Sequence, residues 1–208
     1  MARDPKRTVA DGYDVIADAY ASWGLRAEDP VKRRFAQLAI DSAEAGSPAL
    51  DLGCGTGEHV TRVLAGHFDV TAVDISPHSI DLARERVPGP NYVVGDMATI
   101  EFPDASFAVI TAFYSLIHLP REEHAPMLAR IASWLIPGGR LVATMGASTE
   151  DGYSDDWLGA PMYWSHFDAE TNVALVESAG LIVESDELVV ADEDGDPFTH
   201  QWIVAQLP

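Results

Sequence analysis

A chain of 208 residues, 47% of them hydrophobic and with no low-complexity tract, is long enough for one domain around a buried core. Thirteen basic residues face 33 acidic ones, a net charge of -20, so no basic stripe exists to neutralise nucleic-acid phosphates or anionic lipid. The single Cys54 excludes an internal disulfide, the start "MARDPKRTVADG" lacks the apolar core of a signal peptide, and no apolar run approaches the roughly 18 residues of a membrane span. The expectation is a cytoplasmic protein, monomer or homodimer, with no nucleic-acid and no membrane partner.

Helix and strand patterns alternate along the chain. "TVADGYDVIADAYASWG" reads as a helix with Tyr13, Ile16, Ala17 and Tyr20 on one face. "DPVKRRFAQLAIDSAEAG" is a second helix, with Pro30 near its start and Gly46 past its end. "PALDLG" is a short strand, "EHVTRVLAG" a helix and "DVTAVDI" a strand. "SPHSIDLARERVPG" is a helix with Ser76 as N-cap and Pro77 at its first position. The strands "NYVVGD" and "FAVITAF" follow. "REEHAPMLARIASWLIPGG" is then a helix closed by Pro137 and the Gly138-Gly139 turn, and "RLVATMG" is the fifth strand. A polar and aromatic stretch, 147–168, reads as an insertion over the carboxyl edge of the sheet. The helix "DAETNVALVESAG" follows, then two β-rich runs around the acidic turn "ADEDGDP", which pair antiparallel. Alternation through five strands predicts an α/β fold, doubly wound, with a mostly parallel sheet and helices on both faces.

"LDLGCGTGE" places Gly53, Gly55 and Gly57 on alternate positions between a strand and a helix. That is the nucleotide-binding turn of doubly wound folds, but the dinucleotide form needs G-x-G-x-x-G with a diphosphate on the helix N-terminus. Glu58 stands where its third glycine falls, and a carboxylate there repels a diphosphate. Asp74 ends the second strand, 21 residues after Gly53, where an acidic residue accepts ribose hydroxyls. Asp96 ends the third strand in "VVGDM", placed to receive an adenine amine with Met97 against the ring. A ligand with ribose and adenine but no diphosphate, and carrying positive charge, fits S-adenosylmethionine.

On these segments the chain resembles the class I S-adenosylmethionine-dependent methyltransferases of the small-molecule type. "LDLGCGTG" is similar to the family's first motif, "VTAVDIS" to its ribose motif and "VVGDM" to its adenine motif. "FPDASFAVITAFYSLIHLP", "LIPGGRLVAT" and "YWSHFDAETNVALVESAGLIV" resemble the fourth-strand motif, the fifth, and the helix before the sixth strand. The resemblance implies a seven-stranded sheet in the order 3-2-1-4-5-7-6 with the last strand antiparallel. It implies a cofactor site on Asp51, Gly53, Gly55, Gly57, Asp74, Ile75, Asp96 and Met97, with Phe113 and Tyr114 on the methionine moiety. It makes residues 1–46 a lid carrying Tyr13 and Tyr20, which otherwise simply pack on the sheet.

Met145 and the aromatic stretch behind it, with Tyr153, Trp157, Met162, Tyr163 and Trp164, suggest an apolar pocket for a small organic molecule, or else a satellite core. His166 is the leading general-base candidate, with its imidazole expected to face the pocket, and His118 the second, or a brace of its loop. Cys54 reads as a packing residue, and no zinc-ligand spacing appears, so the expected reaction is metal-independent. The predicted activity is methyl transfer to an O or N of a small acceptor. The alternatives are a rearrangement using the same cofactor, a non-catalytic cofactor-binding partner, and a dinucleotide oxidoreductase.

Overall fold

The structure, a computed structural model, describes residues 3–26, 30–193 and 196–208. Two helices, α1 (Pro5–Arg26) and α2 (Pro30–Asp41), precede the alternating units β1 (Pro48–Leu52), α3 (Val60–Ala65), β2 (Asp69–Asp74), α4 (Pro77–Arg86), β3 (Asn91–Val94) and β4 (Phe107–Ala112). A single helical turn, Leu116–His118, leads to α5 (Arg121–Trp134) and β5 (Leu135–Gly146). Then come β6 (Glu150–Trp157), β7 (Ala160–His166), α6 (Ala169–Ser178), β8 (Ile182–Glu193) and β9 (Asp196–Gln206).

Seven strands form one sheet in the order β3-β2-β1-β4-β5-β9-β8. The first five are mutually parallel, and β9 runs antiparallel to both of its neighbours. With the β6–β7 pair set aside, this is the order that the resemblance implies. Strands covered by helices on both faces need an unbroken apolar run, and β4 is buried at every position. Phe35 of α2, Leu64 of α3 and Ile80 of α4 pack in one cluster, while Met127, Leu128 and Ile131 of α5 and Val176 of α6 pack in another. Ser76 caps α4 by accepting the Ser79 N–H, with Pro77 at the first helical position, as its sequence predicts.

Three stretches differ from the sequence reading or lie beyond the described residues. The helix expected to be closed by Pro137 and the Gly138-Gly139 turn ends earlier, at Trp134, and Leu135 already pairs with Phe107. The ladder shifts register before resuming at Val109–Arg140, because Pro137 lacks an N–H and Gly138 takes a φ of 82°. The stretch 147–168 is no irregular connection but a two-stranded antiparallel hairpin, β6–β7, with Tyr153 opposite Tyr163. The acidic β6, "EDGYSDDW", has no alternating apolar pattern, and its partner and α1 provide what the pattern lacks. Val9 and Ile16 of α1 pack with Ala160, Met162 and Tyr163 of β7, and at Gly12 a Cβ would stand 2.7 Å from the Pro161 carbonyl oxygen. Of the acidic turn 191–197, Asp194 and Gly195 lie outside the described residues.

Candidate functional site

In a doubly wound sheet the ligand crevice opens at the carboxyl ends of the strands, where the strand order reverses. Here that point lies between β1 and β4, and a cleft of about 640 Å³ opens there. Its floor is largely backbone. The N–H groups of Gly53 and Cys54 both bond the Val73 carbonyl, at 2.8 and 3.0 Å, which ties the glycine turn to the end of β2. Gly53 and Gly55 have φ of 74° and 55°, a region that residues with a Cβ rarely occupy. A Cβ on Gly53 would meet the Ser115 Cβ at 2.3 Å, whereas a Cβ on Gly55 would meet no protein atom within 4 Å. The first glycine therefore serves chain packing, and the second keeps space open above the turn.

Asp74 ends β2 with its carboxylate accepting the Gly55 N–H at 2.8 Å and the Ser76 N–H at 2.9 Å. Burial raises its pKa, and the hydrogen bonds from Ser76 and Gly55 oppose that rise. A carboxylate offers about four acceptor sites, so two N–H groups leave capacity toward the cleft. Asp96 accepts the Ala98 N–H at 2.9 Å and holds the Lys6 ammonium at 2.6 Å. Lys6 also pairs with Glu123 at 2.8 Å, so α1 is fastened across the open side. Three further contacts hold α1. Ser76 donates to Asp14 at 2.6 Å, Asp18 pairs with Arg86, and the Tyr13 hydroxyl meets His118 Nε2 at 3.0 Å. Tyr114 follows β4 with a φ of 56°, strain of the kind that collects at ligand sites.

The cleft brings together Tyr13, Tyr20, Gly53, Gly55, Asp74, Ile75, Asp96, Met97, Phe113, Tyr114 and His118. Lys6, Val9, Val73, Gly95, Ser115 and Leu119 also line it, and the sequence reading missed them. Lys6 carries no local signal, since only the fold of α1 across the sheet brings it to Asp96. Ser115 had a cue in its place directly after "FY" at the end of β4. Its hydroxyl donates to the Leu52 carbonyl at 2.7 Å and closes the floor.

Several predicted residues lie elsewhere. Asp51 is buried beneath the turn, where Thr61 and Thr111 donate to its two oxygens at 2.6 and 2.8 Å. Burial raises its pKa to about 6 against those two hydrogen bonds. Gly57 packs toward Tyr92, Ala83 and Val87. Glu58, read as a charge repelling a diphosphate, is paired with Arg86 at 2.8 Å and is absent from the lining, so it does not face a ligand as a free carboxylate. Met145 belongs to the main core. Tyr153 is 40% exposed and bonds the Arg3 carbonyl at 2.9 Å. Trp157, Met162, Tyr163 and Trp164 form the satellite core with α1. The expectation that the His166 imidazole turns to the pocket is not met. That ring lies against Gly146, with Nδ1 on the Ser148 carbonyl and Nε2 3.3 Å from Glu150. The Cys54 thiol is pushed well up by burial and by the Asp74 and Asp51 carboxylates, consistent with an inert packing residue. Among the described residues, no group of three His, Cys, Asp or Glu is placed to hold a metal ion, and no helix is long and apolar enough to cross a membrane.

A glycine turn at the switch point of a doubly wound sheet, with carboxylates ending the next two strands, defines a nucleoside-binding α/β protein. Residues 49–139 match the family described as a methyltransferase domain. The chain is 29% identical over 153 residues to a malonyl-[acyl-carrier protein] O-methyltransferase of Serratia marcescens, covering 73% of this chain and 58% of that one. It is 30% identical over 162 residues to the 27-O-demethylrifamycin SV methyltransferase of Amycolatopsis mediterranei, covering 68% and 59%. It therefore spans less than two thirds of the length of either of these curated relatives. A TehB-like S-adenosylmethionine-dependent methyltransferase from Corynebacterium glutamicum shares the fold with a TM-score of 0.69 and 24% identity, over 94% of this chain and 98% of that one. These matches support a class I S-adenosylmethionine-dependent methyltransferase, with S-adenosylmethionine as the cofactor. The residues present fit that group. The open space over Gly55 admits it, and Asp74 retains acceptor capacity for a ribose.

Proposed function

We propose that this protein transfers a methyl group from S-adenosylmethionine to an oxygen or nitrogen of a small organic acceptor, without a metal. The observation that carries the reading is the buried Asp74 carboxylate, held by two backbone N–H groups in the cleft that also presents Asp96. In this reading Asp74 takes the ribose hydroxyls, and the Gly53–Gly55 turn lets backbone approach the ligand. Ile75 and Met97 flank the adenine, Asp96 receives its amine, and Phe113 and Tyr114 line the methionine end. When bound, the cofactor supplies an electrophilic methyl on a sulfonium and departs as a neutral thioether, so no leaving group needs protonation. What remains for the chain is to align the acceptor, which can supply much of the acceleration.

Residues 1–46 act as the lid, and the 147–168 hairpin acts through α1 by holding Tyr13 over the cleft. Of the two histidines, His118 lines the cleft and His166 does not. The acidic balance favours a neutral or cationic acceptor over nucleic acid.

The test is mass spectrometry of a panel of phenols, alcohols, amines and thiols incubated with methyl-deuterated cofactor. A product heavier by one labelled methyl is expected. A transformed product of unchanged mass that still requires the cofactor replaces this reading with a rearrangement.

A further inference from the structure

Resting on the methyl-transfer reading, we propose that Tyr13 is the catalytic residue that takes the acceptor's proton, with His118 behind it, and that the acceptor is a hydroxyl-bearing molecule.

The argument starts from the far side of the imidazole. His118 Nδ1 lies 2.7 Å from the backbone carbonyl oxygen of Tyr163. A carbonyl oxygen only accepts, so Nδ1 carries a proton. His118 is buried, and burial lowers its pKa to about 4 against the favourable Tyr163 contact, so at neutral pH the ring carries one proton and no more. Nε2 then presents a lone pair, and the Tyr13 hydroxyl 3.0 Å away must be its donor.

Both ring nitrogens of His118 are thus engaged, and the imidazole cannot meet an acceptor directly. The next atom outward is Tyr13 Oη, and Tyr13 and His118 line the same cleft. With its proton directed at Nε2, the phenol oxygen turns acceptor character toward whatever enters. An O–H finds a partner there, whereas a carboxylate or an ether meets a second acceptor. The Tyr13 ring is positioned for this by edge contacts to His118 at 5.4 Å, Tyr20 at 5.5 Å and Trp157 at 6.1 Å.

The step balances. The acceptor oxygen would form its bond to the methyl carbon as the carbon–sulfur bond of the sulfonium breaks, its electron pair staying on sulfur in the neutral thioether, and the acceptor's O–H bond breaks with it. That proton goes to Tyr13 Oη, and Tyr13's own proton goes to His118 Nε2. One positive charge is present before the step and one after it, on the imidazolium.

Two measurements test the proposal. Nitrogen-15 NMR of histidine-labelled protein is expected to show His118 as the neutral tautomer protonated at Nδ1, with Y13F moving the Nε2 resonance. A ring protonated at Nε2 overturns the proposal. The second measurement compares methyl transfer to 4-methoxyphenol, protonated at neutral pH, with transfer to 4-nitrothiophenol, already ionised there. Y13F and H118Q are expected to lower phenol turnover by roughly 10²–10³-fold and thiolate turnover far less, because only the phenol needs a base. Affinity of Y13F for S-adenosylhomocysteine, read by calorimetry, should fall less than about tenfold, within ~1.4 kcal/mol. Equal losses with both acceptors overturn the proposal and make Tyr13 a wall. If the broader panel shows methylation of amines alone, the proposal is overturned while the methyl-transfer reading stands; if protein that binds S-adenosylhomocysteine methylates nothing in that panel, the methyl-transfer reading itself fails.

Discussion

Between Leu52 and Met97 the cleft is floored by backbone, with amides of two loops tied to strand ends and one carboxylate, Asp74, joining them. On the opposite side it is closed by side chains of α1, and each is matched by a partner from a distant stretch of chain. Lys6 pairs with Asp96 and Glu123, Tyr13 with His118, and Arg86 joins Asp18 of α1 to Glu58 of the glycine turn. A floor held by backbone hydrogen bonds inside a central sheet opens only with the fold. A roof held by partly exposed ion pairs and one helix face can open separately, because such pairs contribute little each. In the proposed reading, ligand retention falls to the floor and ligand entry to the roof.

The largest effect should come from the floor. Asp74→Ala removes an acceptor of hydrogen bonds worth roughly 1.5–3 kcal/mol each, so affinity for S-adenosylhomocysteine should fall about 10²–10³-fold by calorimetry. A folded variant with undiminished affinity would sink the ribose assignment.

Two glycine variants sharpen the contrast within the floor. Gly55→Val should cost about 10²-fold in affinity, since its side chain enters ligand space and its φ is strained. Gly53→Val should chiefly lower the melting temperature, because its Cβ strikes Ser115. Equal behaviour of the two would erase the distinction drawn between them.

The roof is probed at Gly12, where an added Cβ would press on the Pro161 carbonyl oxygen. Gly12→Val should speed amide hydrogen exchange in α1 and in the β6–β7 hairpin together, and leave β1 and β4 protected. Destabilisation of order 1–3 kcal/mol is expected, the usual range for overpacking. Exchange that rises evenly through the central sheet would mean that roof and floor open as one unit.

The smallest net effect is on the pH dependence of the wild-type protein, where two contributions oppose. His118 is held near 4, below its ordinary 6.5, so its contribution to stability is complete above 6.5 and lost as pH falls through about 4. Asp51 is held near 6, above its ordinary 3.8, so its contribution is complete below 3.8 and lost as pH rises through about 6. Each amounts to at most about 3 kcal/mol, and the two slopes oppose. Between pH 7 and 4.5, melting temperatures relative to wild type should therefore rise on acidification for His118→Gln and fall for Asp51→Asn. Curves parallel to wild type for both would contradict the two shifts.

What the sequence by itself determined is the part of the protein whose physics is local. Positive φ at the glycines of "GCGTG", Ser76 and Pro77 at the start of α4, unbroken apolar runs for the central strands, and carboxylates at the ends of β2 and β3 can each be read within a few residues. Together they define the fold class and the floor of the cleft. The tertiary structure alone decided the rest. Asp51 and Gly57 belong to the glycine motif yet face the core, Asp51 held there by Thr61 and Thr111 and Gly57 packed toward Tyr92 and Ala83. The sequence reading put His166 ahead of His118. They were separated by which backbone carbonyl each ring meets, Tyr163 for one and Ser148 for the other, and both partners come from the hairpin region that composition had left without regular structure. Lys6 reached Asp96 only because β7 gives α1 a surface to lie on. Side-chain direction at a site built from both ends of a chain depends on packing between elements, and no short window of sequence contains both partners.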